Sequence, residues 1–270
     1  MQHPGFICAT CGVQYPDSAE PPAHCDICED ERQFVPVEGQ RWTTASQLSA
    51  AHTNTFRHMA PGLLALASVP KIAIGQRAFL LRTPAGNLLW DCLSLLDEAT
   101  FELIEGLGGI DAIAMSHPHF FSTMAAWGEA FDCPVHVHAA DRDWVTIPDS
   151  RLQFWEGETL EPLPGLMLHR LGGHFPGACV LHWAERGILL TGDTLLVTPD
   201  RMASFMWSYP NNIPLPASAV VQIGERLAPL SIDSAYSAFW GQEILLDAGR
   251  VIEESVQRHC LAVRGEVPSA

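Results

Sequence analysis

Four cysteines within the first 28 residues constrain this chain more than any other feature. They fall as two pairs, Cys8-Ala-Thr-Cys11 and Cys25-Asp-Ile-Cys28, separated by thirteen residues. A CxxC pair turns both thiolates toward one point, and two pairs supply the four sulfurs of a tetrahedral site. So short a segment has too little apolar side chain to fold by burial, so metal binding must supply its folding energy. Gly12, directly after the second cysteine, suits a tight turn that needs a positive φ. Residues 1–36 are therefore read as a four-cysteine, zinc-ribbon-like module with Zn2+ on Cys8, Cys11, Cys25 and Cys28, in a structural role.

Cys92, Cys133, Cys179 and Cys260 are scattered among apolar residues and read as core thiols. The start, "MQHPGFICAT", lacks the basic and apolar regions of a signal peptide. No apolar run reaches the roughly 18 residues that span a bilayer. A cytoplasmic, reducing location is expected, where cysteines serve as metal ligands or buried thiols rather than disulfides. The 270 residues are 47% hydrophobic and 17% charged, a globular composition. Fifteen basic against 31 acidic residues leave a net charge of −16. Such a surface repels phosphate backbones and anionic headgroups, so neither nucleic acid nor membrane is expected as a partner. A small-molecule substrate is, and the ribbon and the apolar stretch 201–216 are candidate homodimer surfaces.

Residues 37–70 read as a connector, and residues 71–270 as the main domain. "KIAIGQRAFLLRT", the turn "PAGN" and "LLWDC" read as a hairpin. "DEATFELIEGLGG" predicts a helix with acidic residues in its first turn and a glycine stop. "IDAIAM" is a buried strand that delivers His117 and His119, and "STMAAWGEAF" predicts a helix capped by Ser122 or Thr123. Residues 217–227 and "QEILLDAGRVIEESVQRH" predict two further helices. Strands alternating with helices and hairpins make this an α/β chain.

Two more residues can join His117 and His119. His174 stands in "LGGHFPGAC" with glycines on both sides, and Asp193 follows a strand in "ILLTGDTLL". Strand ends and glycine-rich loops are well placed to converge on a cleft. Three imidazoles and a carboxylate make a first shell for zinc or iron.

With these motifs in hand, "HPHFFS", "GGHFPGA", "LLTGDTL" and "SAFWGQ", the chain resembles the metallo-β-lactamase superfamily, in particular its glyoxalase II-like hydrolases. Order and spacing match from about residue 71 to 245. The resemblance implies an αβ/βα four-layer sandwich and hydrolysis by a metal-bound hydroxide. The first 36 residues, with "CATCGVQY", resemble zinc-ribbon and rubredoxin-like knuckles, and the latter hold iron.

The match is incomplete. In the family, HxHxDH supplies two histidines to one metal and an Asp–His pair to a second, which a late histidine completes. The resemblance places His117, His119, His174 and Asp193 on the first metal. At the second-metal positions this chain has Phe121, Ser122 and Trp240, with Phe239 as the neighbouring register. None of these is a usual ligand, so the second site is vacated and one Zn2+ or Fe is expected in the cleft. A decayed site would lose ligands from both sets, whereas here the loss is confined to one.

The leading reading is a mononuclear metallohydrolase acting on a small ester, thioester or lactone carbonyl, with Asp193 as ligand and proton shuttle. A second is a mononuclear non-haem iron oxidoreductase, resembling persulfide dioxygenases, on the two-histidine-one-carboxylate set. A third is a non-catalytic binding protein on a retired hydrolase fold. Other histidines have structural readings. His136 and His138 share one face of a strand, and His169 and His182 lie in strand-like runs. His52, Arg57 and His58 in the connector could hold a substrate carboxylate. Residues 201–216 could wall the cleft. The sequence does not name a substrate-binding residue.

Overall fold

The computed structural model describes residues 5–266. Residues 1–4, part of the stretch read for a signal peptide, lie outside the described residues. The chain is mixed α/β and divides into two compact units, Met1–Trp155 and Glu156–Ala270.

The first unit opens with the cysteine ribbon. Its strands β1 (Gly5–Cys8), β2 (Gln14–Asp17) and β3 (Trp42–Thr44) form an antiparallel sheet in the order β2-β1-β3, with helix α1 (Asp26–Glu29) between β2 and β3. Gly12 turns the chain at φ +85, and a Cβ there would collide with Ser94 Oγ. Both facts demand glycine. Helix α2 (Ala45–Ala51) starts on a capping box, in which Thr44 and Gln47 each satisfy the other's backbone N–H.

Next come β4 (Thr53–Ala60), β5 (Leu63–Val69), β6 (Ala78–Thr83), β7 (Gly86–Trp90), helix α3 (Glu98–Gly106), β8 (Ala112–Ala114), helix α4 (Met124–Ala130), β9 (Val135–His138) and β10 (Leu152–Trp155). They build a seven-stranded sheet, β10-β9-β8-β7-β6-β5-β4. Pairing is antiparallel from β4 to β7 and parallel from β7 to β10. Asp97 caps α3 by accepting the Thr100 N–H at 2.9 Å. Leu80, Leu89, Ile113 and Val135 from the sheet meet Ile104 of α3 and Trp127 of α4 in one buried cluster. Each such aliphatic side chain contributes about 1.5–3 kcal/mol by leaving water.

Three expectations change here. The stretch 37–70, expected as a connector, supplies β3, α2, β4 and β5. Its strand β4 alternates exposed and half-buried residues, a weak pattern typical of a sheet edge. The expected strand from residue 71 begins at Ala78. Helix α4 has no side-chain cap: Thr123 Oγ1 donates instead to the Leu93 carbonyl at 2.9 Å.

The second unit contains β11 (Thr159–Leu163), β12 (Leu166–Arg170), β13 (Cys179–Trp183), β14 (Ile188–Leu190), β15 (Leu196–Val197), β16 (Ala203–Ser204), β17 (Met206–Ser208), β18 (Ile213–Pro214), helix α5 (Ala217–Leu227), β19 (Ser234–Tyr236), β20 (Glu243–Ile244) and helix α6 (Ala248–Arg264). Its main sheet runs β11-β12-β13-β14-β19-β20, with β14 and β19 parallel. Val220 and Ile223 of α5 and Ile252 of α6 pack with Val180, Leu189 and Ala235 of the sheet. The final helix starts six residues later than "QEILLD" suggested, because Glu243 and Ile244 pair with β19. All four core cysteines are buried. Among the described residues, no helix is long and apolar enough to cross a membrane.

Candidate metal centres

The ribbon cysteines converge as their spacing requires. Cys8 Sγ lies 3.5 Å from Cys28 Sγ, and Cys11 Sγ lies 3.6 Å from Cys25 Sγ. All four sulfurs are within 4.8 Å of one another and buried. A tetrahedron with metal–sulfur bonds of about 2.3 Å has edges of roughly 3.8 Å, so the donors fit one ion. Cys8 Sγ accepts from Gln40 Nε2 at 3.0 Å and from the N–H groups of Thr10 and Cys11 at 3.3 and 3.4 Å. Hydrogen bonds from Cys11, then from Cys25 and Cys28, pull the Cys8 thiol down, while burial pushes Cys11 up. A buried four-sulfur shell would leave a bound ion no open position for substrate.

The second group forms at strand ends. Strand β8 stops at Ala114, and the chain then runs through Ser116 to His117 and the 3-10 turn Pro118–Phe120. The Ser116 N–H donates to Asp91 Oδ1 at 2.8 Å and its hydroxyl to Asp91 Oδ2 at 3.0 Å. That hydroxyl has one proton, so at 2.9 Å from His117 Nδ1 it accepts. His117 thus carries its proton on Nδ1 and keeps the Nε2 lone pair for a metal. Burial, then the positive charge of Arg32, pushes the His117 pKa down to about 3, so the ring is neutral. Sequence reasoning does not find Asp91. Its one signal is a carboxylate closing the apolar run "NLLW", beside the strand that ends in the histidines.

His174 is delivered by a loop in which Gly172 and Gly173 have φ +70 and +80. A Cβ on Gly173 would lie 2.9 Å from Leu215 Cδ1. His174 Nδ1 donates to the carbonyls of Met206 and Trp207 at 3.1 and 3.0 Å, which again leaves Nε2 as the acceptor. Part of the 201–216 stretch therefore orients a ligand. Tyr209, equally silent in the sequence, sets its ring 5.8 Å from the His174 ring, edge to face. Asp193 follows β14 after Thr191 and Gly192, the latter at φ +53. Thr191 Oγ1 holds that turn by donating to the Leu195 carbonyl at 2.9 Å. Burial raises the Asp193 carboxyl to about 6, against a lowering by His174.

In the first unit His117 and His119 are buried with their rings 5.1 Å apart, and in the second His174 and Asp193 are buried as well. Imidazoles and a carboxylate, with Nε2 of His117 and of His174 presented as acceptors, are donors that fit zinc or iron. Among the described residues, these and the four cysteines are the groups of three or more potential ligands that could hold a metal.

The remaining candidates have other work. Phe121 is buried in the core cluster of the first unit. Ser122, at φ +45, accepts from Gln76 Nε2 at 3.0 Å through its hydroxyl, and its carbonyl accepts the Gln14 N–H at 3.0 Å. Trp240 is half-buried in the turn between β19 and β20. His138 Nδ1 accepts the Ala140 N–H at 3.2 Å, its ring lying 4.4 Å from that of Trp155. Burial lowers the pKa of His136. His182 Nε2 bonds the Ser231 carbonyl at 3.0 Å, and its ring lies 6.1 Å from that of His169. His52 Nδ1 bonds the Pro70 carbonyl at 2.8 Å. Arg57 and His58 lie on β4, four strands from β8, roughly 19 Å at about 4.8 Å per strand.

The comparisons with known proteins agree with this geometry. Residues 73–233 match the family model of the metallo-beta-lactamase superfamily. The uncharacterized protein YmaE of Bacillus subtilis (strain 168) is 44% identical over 271 residues, covering 98% of each chain. Among solved structures, the metallo-beta-lactamase FIM-1 of Pseudomonas aeruginosa in its mono-zinc form is similar in fold. Its TM-score is 0.57 at 14% identity, over 80% of this chain and 97% of that one. A metallo beta lactamase of Erythrobacter litoralis, with beta mercaptoethanol in its active site, aligns at TM-score 0.58 and 14% identity, over 76% and 96% of the two chains. From its fold, its ligand set and these matches, the chain belongs to the metallo-β-lactamase superfamily.

Proposed function

We propose that this protein is a hydrolase using one metal ion, held by His117, His119, His174 and Asp193, to cleave a small ester, thioester or lactone. The observation that carries the reading is that His117 and His174 are each held through Nδ1 so that Nε2 is presented to a metal, with Phe121 and Ser122 committed to the core and to the ribbon. FIM-1, similar in fold, has a mono-zinc form, which supports one ion as a workable content for this architecture.

When bound, the ion supplies a Lewis acid and lowers the pKa of water toward neutrality. The chain's own residues supply the rest. Asp91 and Ser116 hold His117 with Nε2 presented, and the carbonyls of Met206 and Trp207 do the same for His174. The buried Asp193 carboxylate can orient the attacking water and pass its proton to a leaving group. A site vacated by two ligands in favour of Phe121 and Ser122 suits a carbonyl better than a phosphodiester, which two metals clamp.

The test is a panel of ester, thioester, lactone and phosphodiester substrates assayed with zinc- and iron-loaded protein. Turnover of a carbonyl substrate that vanishes in His174→Ala supports the reading. Oxygen consumption with a persulfide substrate by the iron form alone would favour the oxidoreductase instead.

A further inference from the structure

Two arginines of the second unit meet over one carboxylate. Arg170 is the last residue of β12, and Arg226 stands in the last turn of α5. Glu158, just before β11, takes both. Its Oε1 accepts from Arg170 Nη1 at 3.0 Å, and its Oε2 lies 2.6 Å from Arg226 Nη1. Arg170 Nε donates to the Pro176 carbonyl at 2.9 Å, and Arg226 Nη1 also donates to the Arg170 carbonyl. Both guanidiniums are therefore held in place. Their side chains are 28% and 37% exposed. With Glu158, Thr159, His169 and Leu171 they line a hollow of about 230 Å³.

Thr159 is directly opposite His169 in the ladder, and His169 is opposite Val180, which packs against α5. Residues opposite one another share a face, so Thr159 and His169 stand on the side of the sheet that α5 covers. His169 Nε2 is buried and has no hydrogen-bond partner.

Tying α5 to β12 requires one arginine, yet two face this single carboxylate. That leaves one positive charge in excess, half-removed from water, in a chain whose net charge is −16. Such a charge is costly unless an anion answers it. Donors remain to do so. Each guanidinium has five N–H groups, and among the described residues Arg170 Nη2, Arg226 Nε and Arg226 Nη2 make no hydrogen bond. These donors come from a strand end and a helix end, with the Thr159 hydroxyl on a third element. A planar carboxylate is satisfied by one fork, whereas the tetrahedral oxygens of a phosphate accept from several directions. One excess charge matches a singly charged phosphate.

We propose that Arg170, Arg226 and Thr159 form a binding site for a singly charged phosphate group, free or as a diester, in the hollow between β11, β12 and the end of α5. Glu158 holds the two arginines ready and limits how much negative charge the site accepts. The inference is independent of the hydrolase reading.

The test uses the metal-loaded full chain and two probes, dimethyl phosphate and inorganic phosphate, titrated by phosphorus NMR. Saturable binding of either by the parent is expected. Tighter binding of dimethyl phosphate assigns the site to an organic diester, and tighter binding of inorganic phosphate assigns it to the free ion. Arg226→Gln should weaken binding on the order of tenfold or more, as the loss of hydrogen bonds to a charged group implies. Glu158→Gln should instead tighten it a few-fold, because a like charge is removed beside the ligand. A purely structural role for the Arg170–Glu158–Arg226 group gives no such gain, and this second variant decides the matter if Arg226→Gln fails to fold. His174→Ala should bind as the parent does, which separates this site from the histidine–aspartate centre. No saturable binding by the parent, binding lost in His174→Ala but kept in Arg226→Gln, or weaker binding in Glu158→Gln overturns the proposal and leaves the metal reading standing.

Discussion

The backbone N–H of Gln14 donates to the carbonyl of Ser122 at 3.0 Å, so the ribbon is fastened where the family pattern has a metal-binding histidine. Ser122 adopts φ +45 to make that bond, and its neighbour Phe121 fills the core. Both residues at these positions are thus engaged elsewhere, Ser122 with the ribbon and Phe121 with the core.

Restoring the family ligands should therefore fail. Phe121→Asp with Ser122→His and Trp240→His is expected to bind no additional metal. It should lose about 4 kcal/mol or more of stability, from the cavity and from an ionised carboxyl in an apolar cluster. Urea unfolding and elemental analysis of the purified variant check this, and a folded variant with one more ion than the parent would contradict it.

Ser116→Ala removes the bridge between His117 and Asp91. The His117 tautomer is then no longer fixed, and affinity at the histidine–aspartate centre should fall roughly ten- to a hundredfold, the usual cost of losing a ligand's orienting partner. Asp91→Asn should weaken it less, because an amide oxygen can still accept from Ser116. Competition with a chromophoric chelator measures both, and unchanged affinity in Ser116→Ala would show that the relay does not orient His117.

Burial raises the Asp193 pKa from 3.8 to about 6, so the metal-free folded chain holds this proton more tightly than the unfolded chain. The cost of the ionised form is absent below about pH 4, grows between about pH 4 and 6, and is complete above that window. His117, depressed to about 3, acts in the opposite sense and loses stability as pH falls below its unfolded value near about 6.5, so parent and variant must be compared at each pH. With the ribbon loaded and the histidine centre stripped, Asp193→Asn should be more stable than the parent by about 2–3 kcal/mol at about pH 7.5. The gain should shrink toward zero as the pH is lowered to about 4. Thermal unfolding across that range checks the trend, and a constant difference would rule out Asp193 ionisation as its source.

Much of this is legible in the sequence, for identifiable reasons. Cys8, Cys11, Cys25 and Cys28 can be grouped because CxxC spacing alone restricts the geometry. His117, His119, His174 and Asp193 can be grouped because each stands at a strand end or beside glycines. Residues whose role depends on contacts far along the chain are illegible. Asp91 reaches His117 only through Ser116, and Arg226 is one charge among many until Glu158 and the Arg170 carbonyl fix it. Strand β4 reads as a connector because an edge strand needs little apolar pattern, and Thr123 gives up its capping role to the Leu93 carbonyl.

If the cysteine cluster and the histidine–aspartate group each hold one ion, elemental analysis of the full chain should find two ions per parent chain and one in each of Cys25→Ser/Cys28→Ser and His174→Ala, with the ion retained in the cysteine variant removed by a further His174→Ala change. Two ions retained in His174→Ala, or three in the parent, would contradict it.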